Sequence, residues 1–424
     1  MIFFAFPAVA LLLVGIHVWL YRRLCRPLQS PPLKVLGAVL VVLSFAGMGL
    51  GHAVYRAFPS PAGAAFQRFG YVAMAFMLYL VLALALADGG GCLVRTARRV
   101  LRFGKKRADS APAPKAPDAG DNAAALGEAA GAGAQSESGR SEEAEVCSRR
   151  QFLKVGGLAA LGTAAAATGG GAWSAASCRP FEITIPVSGL PGPMAGFSAV
   201  LLSDIHAGGW IGRDFVRRLV DQANAMDADA VFICGDLVDG SVPALADIVA
   251  PLKDLKSRHG TFFTIGNHEL YSGVDQWCAH LPKLGIRVLR NERAALDGID
   301  LLGVDDWTAA RAGEVPGYDL DGVLASRRPD AFPLLLTHQP RGFRTAADKG
   351  VRLQLSGHTH GGQVFPFQPI AARANEGFLA GLYSHGDARL YVSRGCGYWG
   401  PPVRVAAPSE ITKIILVPQP PTAA

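Results

Sequence analysis

An α/β domain behind a group of apolar, membrane-length helices is the architecture the sequence predicts. Three apolar runs stand early in the chain, at 1–20, 35–50 and 71–87. The stretch 108–147 contains almost no large apolar residue, and from about 180 onward short apolar runs alternate with helical stretches. Strands alternating with helices imply βαβ units and a largely parallel sheet.

Each early run is near the length needed to cross a bilayer, so three transmembrane helices are expected within 1–90. The first, MIFFAFPAVALLLVGIHVWL, has no basic region ahead of it and runs into YRRLCRP rather than a small-residue cleavage site. That marks a retained helix rather than a removed signal. Much of the positive charge behind the formal net value of +7 sits directly after the third run, in Arg95, Arg98, Arg99, Arg102, Lys105, Lys106 and Arg107. Basic residues beside a membrane helix mark the cytoplasmic side, which puts the N-terminus outside. Arg22, Arg23, Arg26 and Lys34 after the first run fit that orientation, and the next loop carries only Arg56 and Arg68.

Residues 91–147 then read as a basic stretch passing into a disordered cytoplasmic linker, since Ala, Pro, Gly, Ser and acidic residues cannot bury enough surface to offset ordering entropy. Immediately after, SRRQFLKVGGLAALGTAAAATGGGAWSAAS places Arg149 and Arg150 ahead of a weakly apolar run. Over 148–178 this resembles a twin-arginine export signal, which carries folded proteins and makes the export machinery an expected partner. An ordinary fourth membrane helix is the alternative. Either way the chain crosses at about Phe152–Ala176, and everything from Cys178 onward lies outside the cytoplasmic membrane.

The domain at 180–418 carries the chemistry. FSAVLLSDIH reads as a strand ending at Asp204, followed by a helix around RDFVRRLVDQANAM. ADAVFICGDLVDG gives a strand ending at Asp236, and GTFFTIGNHE one ending at Asn267 and His268; IDLLGVDDW, FPLLLTHQP and VRLQLSGHTH repeat the device. Six strand ends therefore bring metal-competent groups to one rim, where open α/β sheets bind ligands. In SGHTHGGQ two of the chain's ten histidines, His358 and His360, share one glycine-rich turn.

DIH, GDLVD, GNHE, TH at 337–338 and GHTH, in this order, resemble the motifs of the calcineurin-like metallophosphoesterases. SGHTHGGQ, VSRGCGYWGPPVR and PSEITKIIL resemble the branch with membrane-associated or twin-arginine-exported enzymes and UDP-2,3-diacylglucosamine hydrolase-like phosphoesterases. The resemblance implies a four-layer α/β/β/α sandwich. It implies that Asp204, His206, Asp236 and His360 hold one divalent ion and Asp236, Asn267, His338 and His358 a second, Asp236 bridging. It also implies that His268 faces substrate, stabilises the phosphoryl charge and protonates the leaving oxygen. A bridging carboxylate holds two ions close enough to clamp the attacking and leaving oxygens of an in-line displacement. Imidazole, carboxylate and amide ligands without thiolate suit Mn, Fe or Zn.

Other residues carry weaker expectations. Asp239 and Glu269 are expected to orient ligands. Asp305 and Asp306 either line the rim or form a surface turn. Arg394 and Arg404 either grip a phosphate or form surface ion pairs. Trp210, Trp307, Phe365, Phe367, Tyr398 and Trp399 are candidates for an apolar lip over a lipid-bearing substrate, or else core. His17, His52, His259, His280 and His385 match no motif. The seven cysteines show no Cys-x-x-Cys spacing, and a pair such as Cys278 with Cys396 is open.

The leading functional expectation is a membrane-tethered, metal-dependent phosphoric ester hydrolase acting on phosphorylated, lipid-linked or cell-envelope small molecules. A non-catalytic membrane receptor or scaffold and a nuclease are the alternatives. No nucleic-acid partner is expected, because the basic block lies beside the membrane helices rather than the rim.

Overall fold

The computed structural model describes residues 2–57, 60–109, 137–313 and 317–419. Four helices come first: α1 (Ile2–Leu20), α2 (Pro31–Ala57), α3 (Pro61–Asp109) and α4 (Glu137–Ala176). Among the described residues, two helical stretches are long and apolar enough to cross a membrane, Pro31–Met48 and Ala62–Gly90. The second and third apolar runs fall on these two stretches. The first run lies in α1 and the expected crossing at Phe152–Ala176 in α4; neither is among the stretches that meet this length and apolarity, so two of the four expected crossings are matched among the described residues. The stretch expected to be disordered, 108–147, differs at its ends. α3 runs on to Asp109, and α4 begins at Glu137, where ESGRSEEAEVC supplies good helix formers. The rest of that stretch, 110–136, lies outside the described residues.

The chain divides into two compact units, 1–52 with 73–167, and 53–72 with 168–424. In the first, the Arg23 guanidinium donates to both oxygens of Asp88 at 3.2 and 2.8 Å. His17 is buried, with Nδ1 on the Leu13 carbonyl and Nε2 on Ser44 Oγ, which accounts for a histidine in an apolar run without any chemistry.

In the second unit the domain is built from two six-stranded sheets. The strands are β1 (Arg179–Val187), β2 (Ser198–Leu202), β3 (Ala230–Cys234), β4 (Thr261–Thr264), β5 (Ile286–Val288), β6 (Glu292–Leu296), β7 (Ile299–Gly303), β8 (Phe332–Leu336), β9 (Leu353–Ser356), β10 (Gly381–His385), β11 (Ala388–Val392) and β12 (Glu410–Pro418). One sheet runs β1-β12-β2-β3-β4-β5 and the other β10-β11-β9-β8-β7-β6. In the first, β2 to β5 are parallel; in the second, β7, β8, β9 and β11 are parallel and the two edges antiparallel.

Side chains alternate between two interiors, so both faces of the central strands are apolar. Leu201, Phe232 and Ile414 of the first sheet meet Leu334, Leu336, Leu355 and Tyr391 of the second. Val200, Leu202, Val231 and Ile233 point the other way, against α5 (Arg213–Ala225) and α6 (Val242–Val249). The second sheet's outer face is covered around Val323 and Ala346, and again around Phe343 and Phe378. Helix, sheet, sheet, helix is the four-layer order. The strands stop about two residues short of the expected ends, because Asp204 and Asp236 adopt left-handed backbone, which an extended ladder cannot include.

Candidate metal centre

The loops after β2, β3, β4, β8 and β9 converge on one rim. Five of the seven expected ligands lie at positive φ: Asp204 (52°), His206 (53°), Asp236 (50°), His358 (71°) and His360 (51°). Each such non-glycine residue costs of order 1–3 kcal/mol, and strain of this kind gathers where function demands it. Glycines make the close approaches. A Cβ at Gly357 would run into Ser203 Oγ and Asp204 Oδ2, and one at Gly266 into Asp236 Oδ1.

Asp204, His206 and His360 form one cluster, and Asp236, His338 and His358 another, the ligand atoms within each lying inside 4.8 Å of one another. Asp236 Oδ2 sits 3.1 Å from His338 Nε2 and 3.8 Å from His206 Nε2, so it faces both clusters. His360 Nε2 is 3.4 Å from Asp204 Oδ1 and 3.1 Å from His206 Nε2. In the second cluster His358 Nδ1 is 3.3 Å from His338 Nε2.

The donor set fits divalent cations. His206 Nδ1–H donates to Asp239 Oδ1 at 2.9 Å and His338 Nδ1–H to the Cys234 carbonyl at 2.8 Å. With Nδ1 so engaged, each ring turns its Nε2 inward, toward a ring nitrogen of a neighbouring histidine, and His338 Nε2 also faces Asp236 Oδ2. Ring nitrogens and carboxylate oxygens gathered this closely are the donor set that a divalent cation takes up in exchange for the protons. Asn267 Oδ1 is buried without a hydrogen-bond partner among the described residues, as a carbonyl oxygen awaiting a ligand would be.

Electrostatics follow the same arrangement. Burial opposes ionisation of Asp236, but the charges of His338, His206 and His268 hold its carboxyl well below the usual range. Burial and the neighbouring His338 push His358 down to about 4, so its ring is neutral.

Supporting residues surround the clusters. Glu269, fully buried, accepts backbone N–H bonds from Gly266 (2.7 Å), Asp236 (3.0 Å), Leu237 (2.8 Å) and Val238 (3.3 Å), which ties two ligand loops together. Burial and the adjacent Asp236 raise its carboxyl to about 7. Asp239 Oδ1 accepts from His268 Nδ1 (2.6 Å) as well as from His206. His268 stands at the mouth, its Nε2 4.0 Å from Asp236 Oδ2. Burial lowers its affinity for a proton, but the bond to Asp239 and the charge of Asp236 outweigh it and shift the imidazole upward.

Two sequence expectations need correction. Arg404 is 1% exposed and does not face a phosphate. It donates to the carbonyls of Gly397 (2.8 Å), His360 (3.1 Å), Ala407 (3.0 Å) and Arg394 (2.7 Å) and to His360 Nδ1 (3.0 Å). Arg394 pairs with Glu410 at 2.6 Å. Asp305 and Asp306 are buried rather than in a surface turn. Asp305 takes a bidentate Arg290 (3.0 and 2.7 Å), and Asp306 takes Gln339 Nε2, next to His338.

At the mouth, the Trp399 ring (57% exposed) stands 5.7 Å from the His268 imidazole; Phe365 and Phe367 also lie open to solvent, whereas Trp210 and Tyr398 pack on the core and Trp307 on Tyr318. Sequence reasoning missed Tyr271, which is exposed. Tyr271 was findable: it lies three residues beyond His268 on α7 (Asn267–Ser272), and its ring is 5.6 Å from the imidazole. The N-terminal end of α3 also contributes, with Arg68 donating to the Gly209 carbonyl at 2.9 Å.

Residues 197–362 match the family described as calcineurin-like phosphoesterase. An uncharacterized metallophosphoesterase of Bacillus subtilis is 31% identical over 285 residues, covering 63% of this chain and 97% of that protein. An uncharacterized metallophosphoesterase of Helicobacter pylori is 42% identical over 222 residues, 52% of this chain and 60% of that one. The chain thus spans about three fifths of this relative's length. A Danio rerio protein described as a transmembrane protein with metallophosphoesterase domain is 37% identical over 290 residues, 65% of this chain and 66% of that protein.

Proposed function

The chain belongs to the calcineurin-like metallophosphoesterase family, and from that premise we propose a membrane-tethered hydrolase. It would cleave a phosphomonoester, phosphodiester or pyrophosphate bond in lipid-linked or cell-envelope substrates at the outer face of the cytoplasmic membrane. One observation carries the catalytic part: inward-facing ring nitrogens of His206, His338, His358 and His360 converge with Asp204, Asp236 and Asn267 Oδ1, which has no hydrogen-bond partner among the described residues.

In this reading Asp204, His206, Asp236 and His360 hold one divalent ion and Asp236, Asn267, His338 and His358 the other. Two such ions, Mn, Fe or Zn, would polarise the phosphoryl oxygens and lower the pKa of water toward neutrality. The chain's own residues do the rest. Asp239 fixes the His268 ring by its 2.6 Å bond, and the ring, charged beside two carboxylates, stabilises the phosphoryl oxygens and delivers a proton to the leaving oxygen. Glu269 holds the backbone of Asp236 in the conformation that presents its carboxylate to both clusters.

The membrane part rests on two membrane-length helices, on the Danio rerio relative, and on the open rings of Trp399 and Tyr271 beside His268, suited to acyl chains. Arg149 and Arg150 ahead of α4's apolar run support export by the twin-arginine machinery. A C-terminal reporter enzyme that works only outside the cytoplasm should be active; activity of a cytoplasm-only reporter instead would reverse the orientation.

The purified full chain, loaded with manganese, should hydrolyse bis-p-nitrophenyl phosphate or p-nitrophenyl phosphate. Envelope phospholipids and nucleotide-linked lipids then identify the substrate. Bound metal without turnover on any phosphoester would favour a binding scaffold instead.

A further inference from the structure

Of the seven cysteines the sequence leaves Cys278 with Cys396 as an open pairing; the fold brings Cys396 to Cys178 instead. Cys178 stands in the two-residue joint between α4, ending at Ala176, and β1, beginning at Arg179. Arg179 is registered opposite Glu410 of β12. Cys396 comes to the same residue from the other side: the Glu410 N–H donates to the Gly395 carbonyl at 3.0 Å, and the Cys396 thiol donates to the Glu410 carbonyl at 3.3 Å. Both cysteines belong to one buried cluster with Ile411. The neighbouring Cys396 thiol, then burial, raises the Cys178 thiol well above its ordinary value. Cys234, by contrast, is buried with its thiol on the carbonyls of Thr337 and Leu355, and among the described residues Cys25 is buried too.

The second cysteine sits in the wall of the metal centre. Cys396 N–H donates to the Ser203 carbonyl (2.8 Å) and Gly397 N–H to the Asp204 carbonyl (2.9 Å), while a Cβ at Gly395 would stand 2.7 Å from Asp204 Cβ. The segment 395–397 therefore cradles Asp204 from behind.

We propose that Cys178 and Cys396 are the site of an intramolecular disulfide, which fastens the start of β1 to the segment that cradles Asp204. The oxidant is a disulfide, small or carried by a protein, acting by exchange. The Cys178 thiolate attacks one of its sulfurs and releases the other as a thiolate; the Cys396 thiolate then displaces the remaining half. Two thiols lose two protons and two electrons, and the oxidant becomes two thiols. Cys178, at the joint, is the more accessible of the two (9% against 0% exposed) and is the sulfur that attacks first. The raised Cys178 thiol is protonated in the folded state at neutral pH, so linkage is fastest during folding or in alkali.

The wild-type full chain serves as the test object, so no variant has to fold. It is extracted in detergent, reduced, freed of reductant, then exposed to oxidised glutathione at about pH 9.5, a unit above the ordinary thiol range of about 8.5, because the Cys178 thiol is shifted upward. Free thiols are trapped with N-ethylmaleimide under denaturing conditions, and peptides are mapped without reductant. The expected result is a peptide pair joined through Cys178 and Cys396, with the loss of both corresponding maleimide additions and their return after reduction. Full alkylation of both residues after oxidation would overturn the proposal, as would linkage of either one to a different cysteine. A second arm traps thiols directly in cells. Disulfides persist in oxidising compartments and are rare in the cytosol. If the pair links in the purified chain but is found reduced in cells, the disulfide site stands and the outer-face assignment above falls. The two readings therefore fail separately.

Discussion

At the scale of single residues, the centre separates groups that would hold an ion from groups that would act on substrate. Asp236 faces both clusters, and no other described carboxylate can replace its oxygen between His338 and His206. Asp236→Ala should therefore abolish metal retention, read as ions per chain after desalting. The His268 Nε2 stands 4.0 Å from Asp236 Oδ2, and the 2.9 Å bond to Asp236 Oδ1 comes from the His268 backbone, so His268→Ala should leave metal content intact while turnover falls about 10²- to 10⁴-fold, the usual worth of a positioned acid. Equal metal loss in both variants would show that His268 is a ligand. Much of this was legible in the chain, because Asp, Asn and His follow apolar runs at Asp204, Asp236, Asn267, His338 and His358, and polar residues at strand ends have few other reasons to recur. The supporting role of Asp239 and Glu269 was legible too, but the partners through which Glu269 acts were not. Glu269 follows His268 directly, yet its four backbone partners span residues 236 to 266, and nothing local records that they meet. Arg404 reads as a surface charge until the carbonyls of 360, 394, 397 and 407 close around it.

At the scale of elements, the parallel strands matter because they end together and their loops do not. Phe232 on β3 fills the space between the sheets and is fully buried. Phe232→Ala should lower stability by about 3–5 kcal/mol, seen as an earlier denaturant midpoint with an unchanged slope. Arg404 performs a similar office for the loops that hold His360. Arg404→Met removes a buried guanidinium and leaves several carbonyls unsatisfied, which should cost at least about 3 kcal/mol and weaken metal retention together. A loss of stability without any change in metal binding would detach Arg404 from the centre. Strand positions were readable from apolar runs, but their ends were overestimated. Left-handed backbone at Asp204 and Asp236 depends on contacts such as Asp204 N–H to the Gly235 carbonyl, which arise only between neighbouring strands. The second helical stretch, at 137–147, shows the opposite error: a polar composition concealed residues of good helix propensity.

For the whole molecule, the important fact is that the candidate ligands come from both sheets: Asp204, His206, Asp236 and Asn267 from one, His338, His358 and His360 from the other. An ion bound by the folded state alone, at a hundred times its dissociation constant, stabilises by about 2.7 kcal/mol. Chelation should accordingly lower the melting temperature of the domain by roughly 5–10 °C, and excess manganese should restore it. A melting curve indifferent to chelator would mean that the clusters hold no cation in solution. The placement of donors on opposite sides of the interior has one more implication. Each ion would act as a rivet through the seam between the sheets, so a cell short of the right metal would face not merely an idle catalyst but a protein whose two halves part more readily and which proteases reach sooner.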